Sequence, residues 1–406
     1  MRTNFFSIIF LFILCFQVHS KEWVIFPSND AQDEIQTAMI LAKPGDTIYL
    51  KSGTYNLNHG LSLDVDNILL KGDGLDKTVL NFKKQKTGAQ GLLVTSDNVV
   101  LKNFAVENAL GDAIKSKGSK NIKFINLRTE WTNGPDTKNG AYGLYPVESE
   151  KVLIDGCIAI GASDAGIYVG QSEQIIVRNS EVYFNVAGIE IENSYYADVY
   201  NNKAENNTAG ILVFDLPDLP KQGGKYVRVF NNISSNNNTE NFAPEGNIVG
   251  TVPKGTGLII RANRYVEVFQ NTFENNSTIG VALVAGDLDS GDESYDPYPR
   301  NIQIYNNFFA NSGFDPDYNR GDLPPLLVEI AGGVMPDIMW DGILPFWQSI
   351  FGQSKKEKLV LDSNNNAKFL NIDVFWYLVF SWFHSPERNP SDYFSEVSNL
   401  DEVSEW

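Results

Sequence analysis

Cysteine and histidine are the scarcest residue types in this 406-residue sequence, with two cysteines and three histidines. Removal of the N-terminal leader described below leaves Cys157 as the only cysteine, and His59 and His384 as the only histidines. A single thiol forms neither an internal disulfide nor a cysteine metal cage, and two distant histidines argue against a zinc site or a Ser-His-Asp triad. Cys157 alternates with aliphatic residues, which predicts a small buried strand residue.

Basic residues are also scarce. Lysine and arginine number 32 against 50 aspartates and glutamates, for a net charge of −18 and a pI near 4.6. This balance argues against a nucleic-acid partner, which requires basic patches. It argues more weakly against a polyanionic glycan such as alginate or pectate, unless a local basic groove or bound calcium offsets the global charge.

No apolar run is long enough to cross a membrane. Arg2, the apolar run at 5–16 and the small residues before Lys21 are typical of a secretory signal peptide, residues 1–20. The run NIDVFWYLVFSWF near the C-terminus is too short for a span and contains Asp373. The sequence therefore predicts a periplasmic or secreted protein with no transmembrane anchor after signal removal.

Glycine, in contrast, recurs at intervals of 22 or 23 residues, with one interval of 47. The repeated glycines are Gly143, Gly166, Gly188, Gly210, Gly257 and Gly280. Each opens an alternating phrase such as AGIYVGQS, and a second phrase such as IIVRNS follows within the period. Fixed-period similarity without a helical pattern is typical of a β-solenoid, and at ~3.3 Å per extended residue one period suffices for one coil. We predict an all-β, right-handed parallel β-helix.

The repeats also predict the domain organisation. The β-helix domain is expected over residues 21–320, with coils to about Asn311, and an aromatic-rich C-terminal cap over 321–406. A helix at 30–43, with Ile35, Met39 and Ile40 on one face, is expected to cover the open end of the stack. Polar, glycine-rich sequence predicts an insertion at 215–256, with one strand inside it, and a loop at 286–299.

Alternation within each glycine-led phrase predicts which side chains form the core. The first and third positions after the glycine are apolar in every phrase, so they are expected to point inward and to fix the register. The second and fourth positions then face outward. Asparagines after the second strand, such as Asn202, Asn232 and Asn307, are predicted to stack in a structural ladder.

Glu190 and Glu192 are the candidate catalytic residues. They project to the same side of one strand, roughly 6–7 Å apart at the backbone. Such a pair can raise one pKa and perform acid/base chemistry, and the alternative is two solvated surface charges. The candidate substrate-binding residues on the outward face and its turn are Tyr145, Tyr168, Asn193, Phe214 and Arg261.

The outward face also carries apolar residues, among them Val147, Leu212 and Ile259. Soluble proteins rarely leave such a patch bare. Two interpretations stay open on the sequence alone: an aromatic groove that binds a glycan, or a face covered by the 215–256 insertion or the C-terminal tail.

The acidic loop at 286–299 contains Asp287, Asp289 and Asp292, a calcium candidate by composition. Its spacing departs from the EF-hand pattern, and a solvated loop is the alternative. Calcium is the one metal that the sequence suggests, and no other cofactor is evident.

The repeats resemble those of bacterial secreted right-handed parallel β-helix proteins of the carbohydrate-binding and sugar-hydrolase type. One segment, YGLYPVES, resembles the YG-x-DPHD or DPHE signature of the mannuronan C5-epimerases. The positions that match this signature are Tyr142, Gly143, Pro146 and Glu148. Tyr145 replaces the aspartate of the signature, and Val147 replaces its histidine.

The replacement at Val147 changes what the resemblance implies. In the epimerases the histidine takes part in proton abstraction at the sugar C5, and valine cannot exchange a proton. A standard epimerase is therefore excluded, while Tyr145 or Tyr168 would be the base in any changed mechanism. The repeats and leader also resemble the periplasmic β-helix protein that matures the copper site of nitrous oxide reductase, a non-enzymatic accessory factor.

Three function classes remain, and across the first two we favour recognition of a polysaccharide, with cleavage left undecided by the sequence. The first class is a carbohydrate-active enzyme, a lyase or hydrolase that uses the outward face with Tyr145, Tyr168, Glu190 and Glu192. The second is non-catalytic glycan binding by the same face. The third is an accessory or scaffold role in which the apolar face binds a periplasmic protein. We expect a monomer in each case.

Overall fold

The computed structural model describes residues 20–318, 325–354, 357–380 and 385–406. The predicted signal peptide, apart from Ser20, and His384 lie outside these ranges. Parallel strands follow one another through most of the chain and stack as successive coils.

The strands in chain order are β1 (Glu22–Ile25), β2 (Thr47–Leu50), β3 (Gly53–Asn56), β4 (His59–Leu63), β5 (Leu69–Lys71), β6 (Thr78–Asn81), β7 (Thr87–Val94), β8 (Val100–Glu107), β9 (Asp112–Lys117), β10 (Lys120–Glu130), β11 (Tyr142–Val147), β12 (Glu150–Asp155), β13 (Ile158–Ile160), β14 (Ala165–Gly170), β15 (Glu173–Arg178), β16 (Glu181–Tyr183), β17 (Ala187–Glu192), β18 (Tyr195–Tyr200), β19 (Lys203–Glu205), β20 (Ala209–Phe214), β21 (Lys225–Phe230), β22 (Ile233–Ser235), β23 (Thr256–Arg261), β24 (Arg264–Phe269), β25 (Thr272–Glu274), β26 (Ile279–Val284), β27 (Arg300–Tyr305), β28 (Phe308–Ala310), β29 (Ile338–Trp340), β30 (Val360–Asp362) and β31 (Phe369–Asn371). The helices are α1 (Ala31–Leu41), α2 (Pro325–Ala331), α3 (Phe346–Phe351) and α4 (Val374–Phe380), with 3₁₀ turns at Ile248–Thr251 and Pro390–Tyr393.

The strands form two parallel sheets. One has 11 strands and runs β4-β7-β9-β11-β14-β17-β20-β23-β26-β29-β31; we call it the site sheet. The other has 20 strands, and we call it the broad sheet. The broad sheet contains two ladders that meet at the long strands β8 and β10, since each of these pairs with both ladders. Each coil therefore has three strand faces around one core.

The predicted core positions are confirmed. Ile167, Ile189 and Ile211 lie opposite one another on neighbouring strands of the site sheet, and none is exposed. Close packing between neighbouring coils also explains why glycine is repeated. A Cβ on Gly188 would lie 2.5 Å from the carbonyl oxygen of Gly210 and 2.8 Å from Val182, too close for any larger residue without a shift. Cys157 is buried as predicted, but it lies in the turn between β12 and β13 and not in a strand. Burial raises its pKa to about 12.

The predicted asparagine ladder is confirmed. Each amide nitrogen in the series Asn202, Asn232, Asn271 and Asn307 donates to the amide oxygen of the next at 3.0 Å. The residues before the ladder positions, such as Asn231, adopt left-handed backbone, which asparagine tolerates. A second ladder, which the sequence analysis did not predict, links Asn185, Asn207, Asn237 and Asn276 at 2.9–3.2 Å.

Replacing Asn232 by alanine is expected to lower the free energy of unfolding by about 2–3 kcal/mol, because buried polar partners lose their hydrogen bonds. The amide group of Asn232 bonds Val199, Asn202 and Asn271. Asn364→Ala is the matched control. Asn364 ends the same ladder and is only half-buried, so about 1 kcal/mol is expected. Urea unfolding of both variants measures the difference, and equal losses would contradict a cooperative contribution from the ladder interior.

The N-terminal capping helix is confirmed as α1, with one correction. Ile35 and Met39 are buried, at 0% and 1% exposed, but Ile40 is 66% exposed. Successive helical residues are about 100° apart, so Ile40 cannot share the buried face with Met39.

The structure also corrects the predicted interruptions. The 215–256 insertion contains two strands, β21 and β22, where one was expected, and consists of two separate loops at 215–224 and 236–255. The second interruption is confirmed as a loop between β26 and β27. The coils do not end near Asn311, because β29, β30 and β31 continue the ladders through residue 371.

The end of the described chain runs back across the broad sheet. Residues 398–405, which we call the strap, lie along successive coils in the direction opposite to that of the stack. The residues that hold the strap, from later to earlier coils, are Gln303, Glu267, Arg228, Asp198 and Arg178. Glu405 contacts Arg178 through two bonds of 2.9 Å. Within the described ranges no helix is both long and apolar enough to cross a membrane.

Candidate active site

A cavity of about 390 Å³ lies over the outward face of the site sheet. Strands β11, β14 and β17 form its floor, and the loops at 215–224 and 236–255 form its roof. The lining residues are Ala141, Tyr142, Tyr145, Asp164, Tyr168, Gln171, Glu190, Glu192, Leu216, Pro217, Leu219, Asn247, Ile248 and Val249. Four residues of the predicted site, Tyr145, Tyr168, Glu190 and Glu192, therefore meet here.

Glu190 is buried in the floor of the cavity, with 3% of its surface exposed. Its Oε2 accepts no hydrogen bond from the described residues. Burial, together with the charges of Glu192 and Asp164, raises the pKa of Glu190 well above its ordinary value. This environment favours the neutral form of Glu190. The alternative of two solvated surface charges is wrong, because both Glu190 and Glu192 are buried.

Glu192, two residues further along β17, has a different environment. Its Oε1 accepts hydrogen bonds from the Tyr168 hydroxyl at 2.5 Å and from Gln171 Nε2 at 3.2 Å. Burial raises the pKa of Glu192 to about 7, while these two donors favour its ionised form and oppose a larger rise. Glu192 therefore changes charge near neutral pH, whereas the raised pKa of Glu190 is not opposed by any hydrogen-bond donor at its Oε2 among the described residues.

Asp164 supplies a third carboxyl group from the turn before β14. Its Oδ2 accepts hydrogen bonds from the Tyr142 hydroxyl and from Asn247 Nδ2, both at 3.3 Å. Burial and the nearby Glu192 charge raise the pKa of Asp164 to about 7. Asn247 belongs to the roof, so this bond connects the roof directly to the acidic floor.

Three tyrosine rings form one wall of the cavity. The ring centroids of Tyr142, Tyr145 and Tyr168 lie 4.3–4.9 Å apart. Burial raises the pKa of Tyr145 to about 12 and that of Tyr168 well above its ordinary value. Both hydroxyls therefore keep their protons at neutral pH, which disfavours either one as a general base.

Two buried asparagines hold the roof loops in place. Asn193 bonds both the amide and the carbonyl of Leu216 at 2.8 Å, and its Nδ2 also donates to the Lys221 carbonyl at 2.9 Å. Asn241 donates to the carbonyls of Val249 and Val252 at 3.0 and 2.9 Å. Asn193, a predicted substrate-binding residue, is thus fully buried and anchors the first loop.

The structure places Phe214 and Arg261 away from this cavity. They are register partners on β20 and β23, and both line a separate cavity of about 40 Å³. Phe214 is 2% exposed and belongs to an apolar cluster. No lysine or arginine occurs among the described residues that line the acidic cavity.

The outward apolar face is covered at one end and partly exposed at the other. Towards the C-terminal coils the face is covered, and its residues pack in one cluster with both the 236–255 loop and helix α2. Members of this cluster are Leu212, Phe214, Ile259, Ala282, Val249, Val252, Val328, Ala331 and Met335. Towards the N-terminal coils, Tyr142 and Tyr145 remain only half-buried. The groove is therefore lined by aromatic rings towards the N-terminal coils and occupied by packed apolar side chains towards the C-terminal coils.

The acidic loop at 286–299 uses its carboxylates in hydrogen bonds. Asp292 accepts bonds from the backbone of Asp218 and Ser294 and from the side chains of Gln222 and Ser294, while Asp287 accepts from the amide of Asp289. These bonds hold the pKa of Asp292 well below its ordinary value. Across the described residues, no group of three or more histidine, cysteine, aspartate or glutamate side chains is arranged to hold a metal ion. Calcium binding at Asp287, Asp289 and Asp292 stays a prediction.

Four polar residues that line the cavity were not among the predicted site residues: Tyr142, Asp164, Gln171 and Asn247. Asp164 could have been found from the sequence. It lies two residues before the repeated Gly166, and the same position of the neighbouring phrases is occupied by the apolar residues Ala141 and Val186. Asn247 could not have been found in this way, because it contacts Asp164 across 83 residues of sequence.

The epimerase-like segment forms β11 and the turn after it. Val147 is 5% exposed, and Glu148 is exposed with a φ of 52° and pairs with Lys117 at 3.4 Å. Only Tyr142 and Tyr145 of this segment line the cavity.

Comparisons with known proteins agree with the observed fold. A family model described as a right-handed beta helix region matches residues 66–218. A sequence search of curated proteins gives no significant match. Among solved structures, the chain is similar to the A-module of mannuronan C-5 epimerase AlgE4 from Azotobacter vinelandii, with 14% identity, coverage of 84% of this chain and 91% of that chain, and a TM-score of 0.48. It is also similar to the family 28 exopolygalacturonase of Yersinia enterocolitica, with 12% identity, coverage of 86% and 70%, and a TM-score of 0.44. The family model agrees with the predicted right-handed parallel β-helix fold that the parallel strand order shows. Likenesses to solved structures at this level say nothing of activity.

Proposed function

We propose that this right-handed parallel β-helix protein hydrolyses a glycosidic bond of a neutral glycan in the cavity around Glu190. Glu190 donates its proton to the glycosidic oxygen as that oxygen leaves the anomeric carbon. A water molecule, deprotonated by ionised Glu192, adds to the same carbon. One C–O bond breaks and another forms, and the proton gained by Glu192 returns to Glu190 through solvent.

The observation that carries this proposal is the contrast between two carboxyl groups on one strand. Glu190 has no hydrogen-bond donor at Oε2 and two acidic neighbours, whereas Glu192 has two donors. Paired acids whose environments separate their pKa values supply both the acid and the base of a hydrolysis. Three buried carboxyl groups also weaken the fold, so their presence together in a cavity is typical of a functional site.

Hydrolysis of a neutral glycan is favoured over the other classes. A lyase acting on a uronate needs a cation to neutralise the sugar carboxylate, and no lysine or arginine is among the described lining residues. A scaffold role needs a free apolar face, and that face is packed against α2 and the second roof loop. Simple glycan binding does not require a buried, protonated acid.

The proposal is tested by incubating the purified protein with neutral and acidic polysaccharides. Reducing ends are measured together with the ultraviolet absorbance of unsaturated sugars. We expect new reducing ends from a neutral substrate without a rise in absorbance. Unsaturated product would instead show a lyase, and no product from any substrate would contradict the proposal.

The rate of hydrolysis is expected to depend on pH as a bell whose rising limb lies near pH 7. Below that pH Glu192, with its pKa raised to about 7, is protonated and cannot act as base. At higher pH Glu190 loses its proton and cannot act as acid, so the rate falls again. The measurement is kcat/KM between about pH 5 and pH 9.5. A rate that is highest at about pH 5 and falls steadily above it would contradict these assignments.

A further inference from the structure

The groove above the acids is closed on its C-terminal side. In the outward column of the site sheet, Glu190 lies opposite Leu212, and Leu212 lies opposite Ile259. Leu212 is fully buried and Ile259 is 7% exposed, because Val249 and Val252 of the second roof loop belong to the same packed cluster. A sugar chain cannot continue past Glu190 in this direction.

The N-terminal side of the same column is polar and partly exposed. From Glu190 the column continues to Tyr168, then to Tyr145 and then to Lys115, with one residue in each successive coil. The Lys115 Nζ sits 4.2 Å from the centre of the Tyr145 ring and 3.9 Å from Asp112 Oδ2. With strands ~4.8 Å apart, Lys115 is about 14 Å from Glu190 along the column, a distance that a few linked sugar residues span.

The cavity itself is small. Its volume of about 390 Å³ is near the lower limit of the ~300–1,000 Å³ that small-molecule sites usually occupy. Leu216 and Leu219 of the first roof loop add to its lining. It has room for a terminal unit of one or two sugars, but not for a chain that passes through.

We infer that the protein acts on the ends of neutral glycan chains and releases one or two sugar units at a time. The terminal unit occupies the cavity at Glu190 and Glu192, and the rest of the glycan chain lies over Tyr145 and Lys115. Lys115 and Asp112 then bind hydroxyl groups of sugars beyond the bond that is cleaved. This inference rests on the proposed hydrolysis, but it concerns a separate property, the position of cleavage.

The position of cleavage is tested with neutral hexasaccharides of the cello-, xylo-, manno- and galacto- series, each labelled with 2-aminobenzamide at the reducing end. We expect the released sugar to be a mono- or disaccharide from the earliest time points. Labelled chains that shorten stepwise would show attack at the non-reducing end, and early release of a short labelled sugar would show attack at the reducing end. Early labelled products of every length would overturn the inference and leave the hydrolysis intact. Cleavage of none of the four series would contradict the proposed function, and the inference with it.

Lys115→Ala tests the outer part of the groove. We expect KM for the hexasaccharide to rise about tenfold with kcat nearly unchanged, the scale for losing a hydrogen bond to a charged group. KM for the shortest oligosaccharide of the same series that the protein cleaves should rise much less, because that chain places fewer sugars at Lys115. The control is Lys203→Ala, a lysine of the broad sheet that pairs with Glu205, and both substrates should be unaffected. Equal rises in KM for the hexasaccharide and the shortest substrate in Lys115→Ala would overturn the role assigned to this residue.

Discussion

Replacing Glu190 by glutamine is expected to slow glycan hydrolysis by about a thousandfold, within the range seen for loss of a general acid. The same change is expected to raise the melting temperature at pH 8 by about 2–4 °C. Glutamine keeps the shape of the side chain but cannot donate the catalytic proton. The two effects have opposite signs because the group that drives catalysis also weakens the fold.

The stability gain follows from the raised pKa of Glu190. A buried carboxyl group whose folded pKa exceeds its unfolded pKa stabilises the fold fully below the unfolded value, and this contribution is lost as pH rises through the folded value. For Glu192 and Asp164, with pKa values raised to about 7, the loss extends from about pH 4 to about pH 7. For Glu190, whose pKa is raised well above its ordinary value, the loss has the same direction. The advantage of the glutamine variant should therefore be absent at pH 4 and greatest under alkaline conditions.

Rate assays and thermal melts at both pH values measure these effects. Glu181→Gln is the control, since Glu181 is an exposed glutamate on the broad sheet with the same change in chemistry. The control should alter neither the rate nor the pH dependence of stability. Full activity of Glu190→Gln would refute its role as the acid, whereas a loss of stability at pH 8 would indicate a structural carboxyl group. Glu192→Gln should also abolish hydrolysis, but with less gain in stability because it gives up an ionised acceptor for Tyr168.

Ile189→Asp is expected to destabilise the protein by more than about 5 kcal/mol and to prevent its folding in most conditions. Ile189 is fully buried between Ile167 and Ile211, so the aspartate would place an unpaired charge at the centre of the stack. The conservative control Ile189→Val should cost only about 0.5–1.5 kcal/mol. Far-ultraviolet circular dichroism and thermal melts compare the two. A folded Ile189→Asp protein with wild-type stability would show that this position does not face the core.

Much of the fold was predictable from the sequence because neighbouring coils repeat one local rule. The glycine at the start of each phrase allows the backbone of the neighbouring coil to pack closely. The alternation after the glycine separates core residues such as Ile189 from outward residues such as Glu190. The same rule placed Glu190 and Glu192 on one side of one strand. It required no knowledge of contacts between distant residues.

The rest of the site depends on contacts that no local rule specifies. Asn193 was predicted to bind substrate, but its side chain is bonded to the backbone of Leu216. This contact was not predictable, because Leu216 lies 23 residues away in an irregular loop. Phe214 was predicted to be a stacking platform because the segments that share its apolar cluster, the second roof loop and helix α2, lack the repeat. The last three strands were missed for the same reason, since β29 to β31 are only three residues long and carry no periodic glycine.

The strap changes how the stack should unfold. In a solenoid each coil contacts only its neighbours, so one part of the stack can open while the rest persists. Here a single segment bonds Gln303, Asp198 and Arg178 together, across sequence separations of 95 to 227 residues. Opening of any coil beneath the strap must break contacts shared with the others, or detach the strap itself. We therefore expect the coils between Arg178 and Gln303 to unfold as one cooperative unit, bound end to end by a segment that contributes no coil of its own.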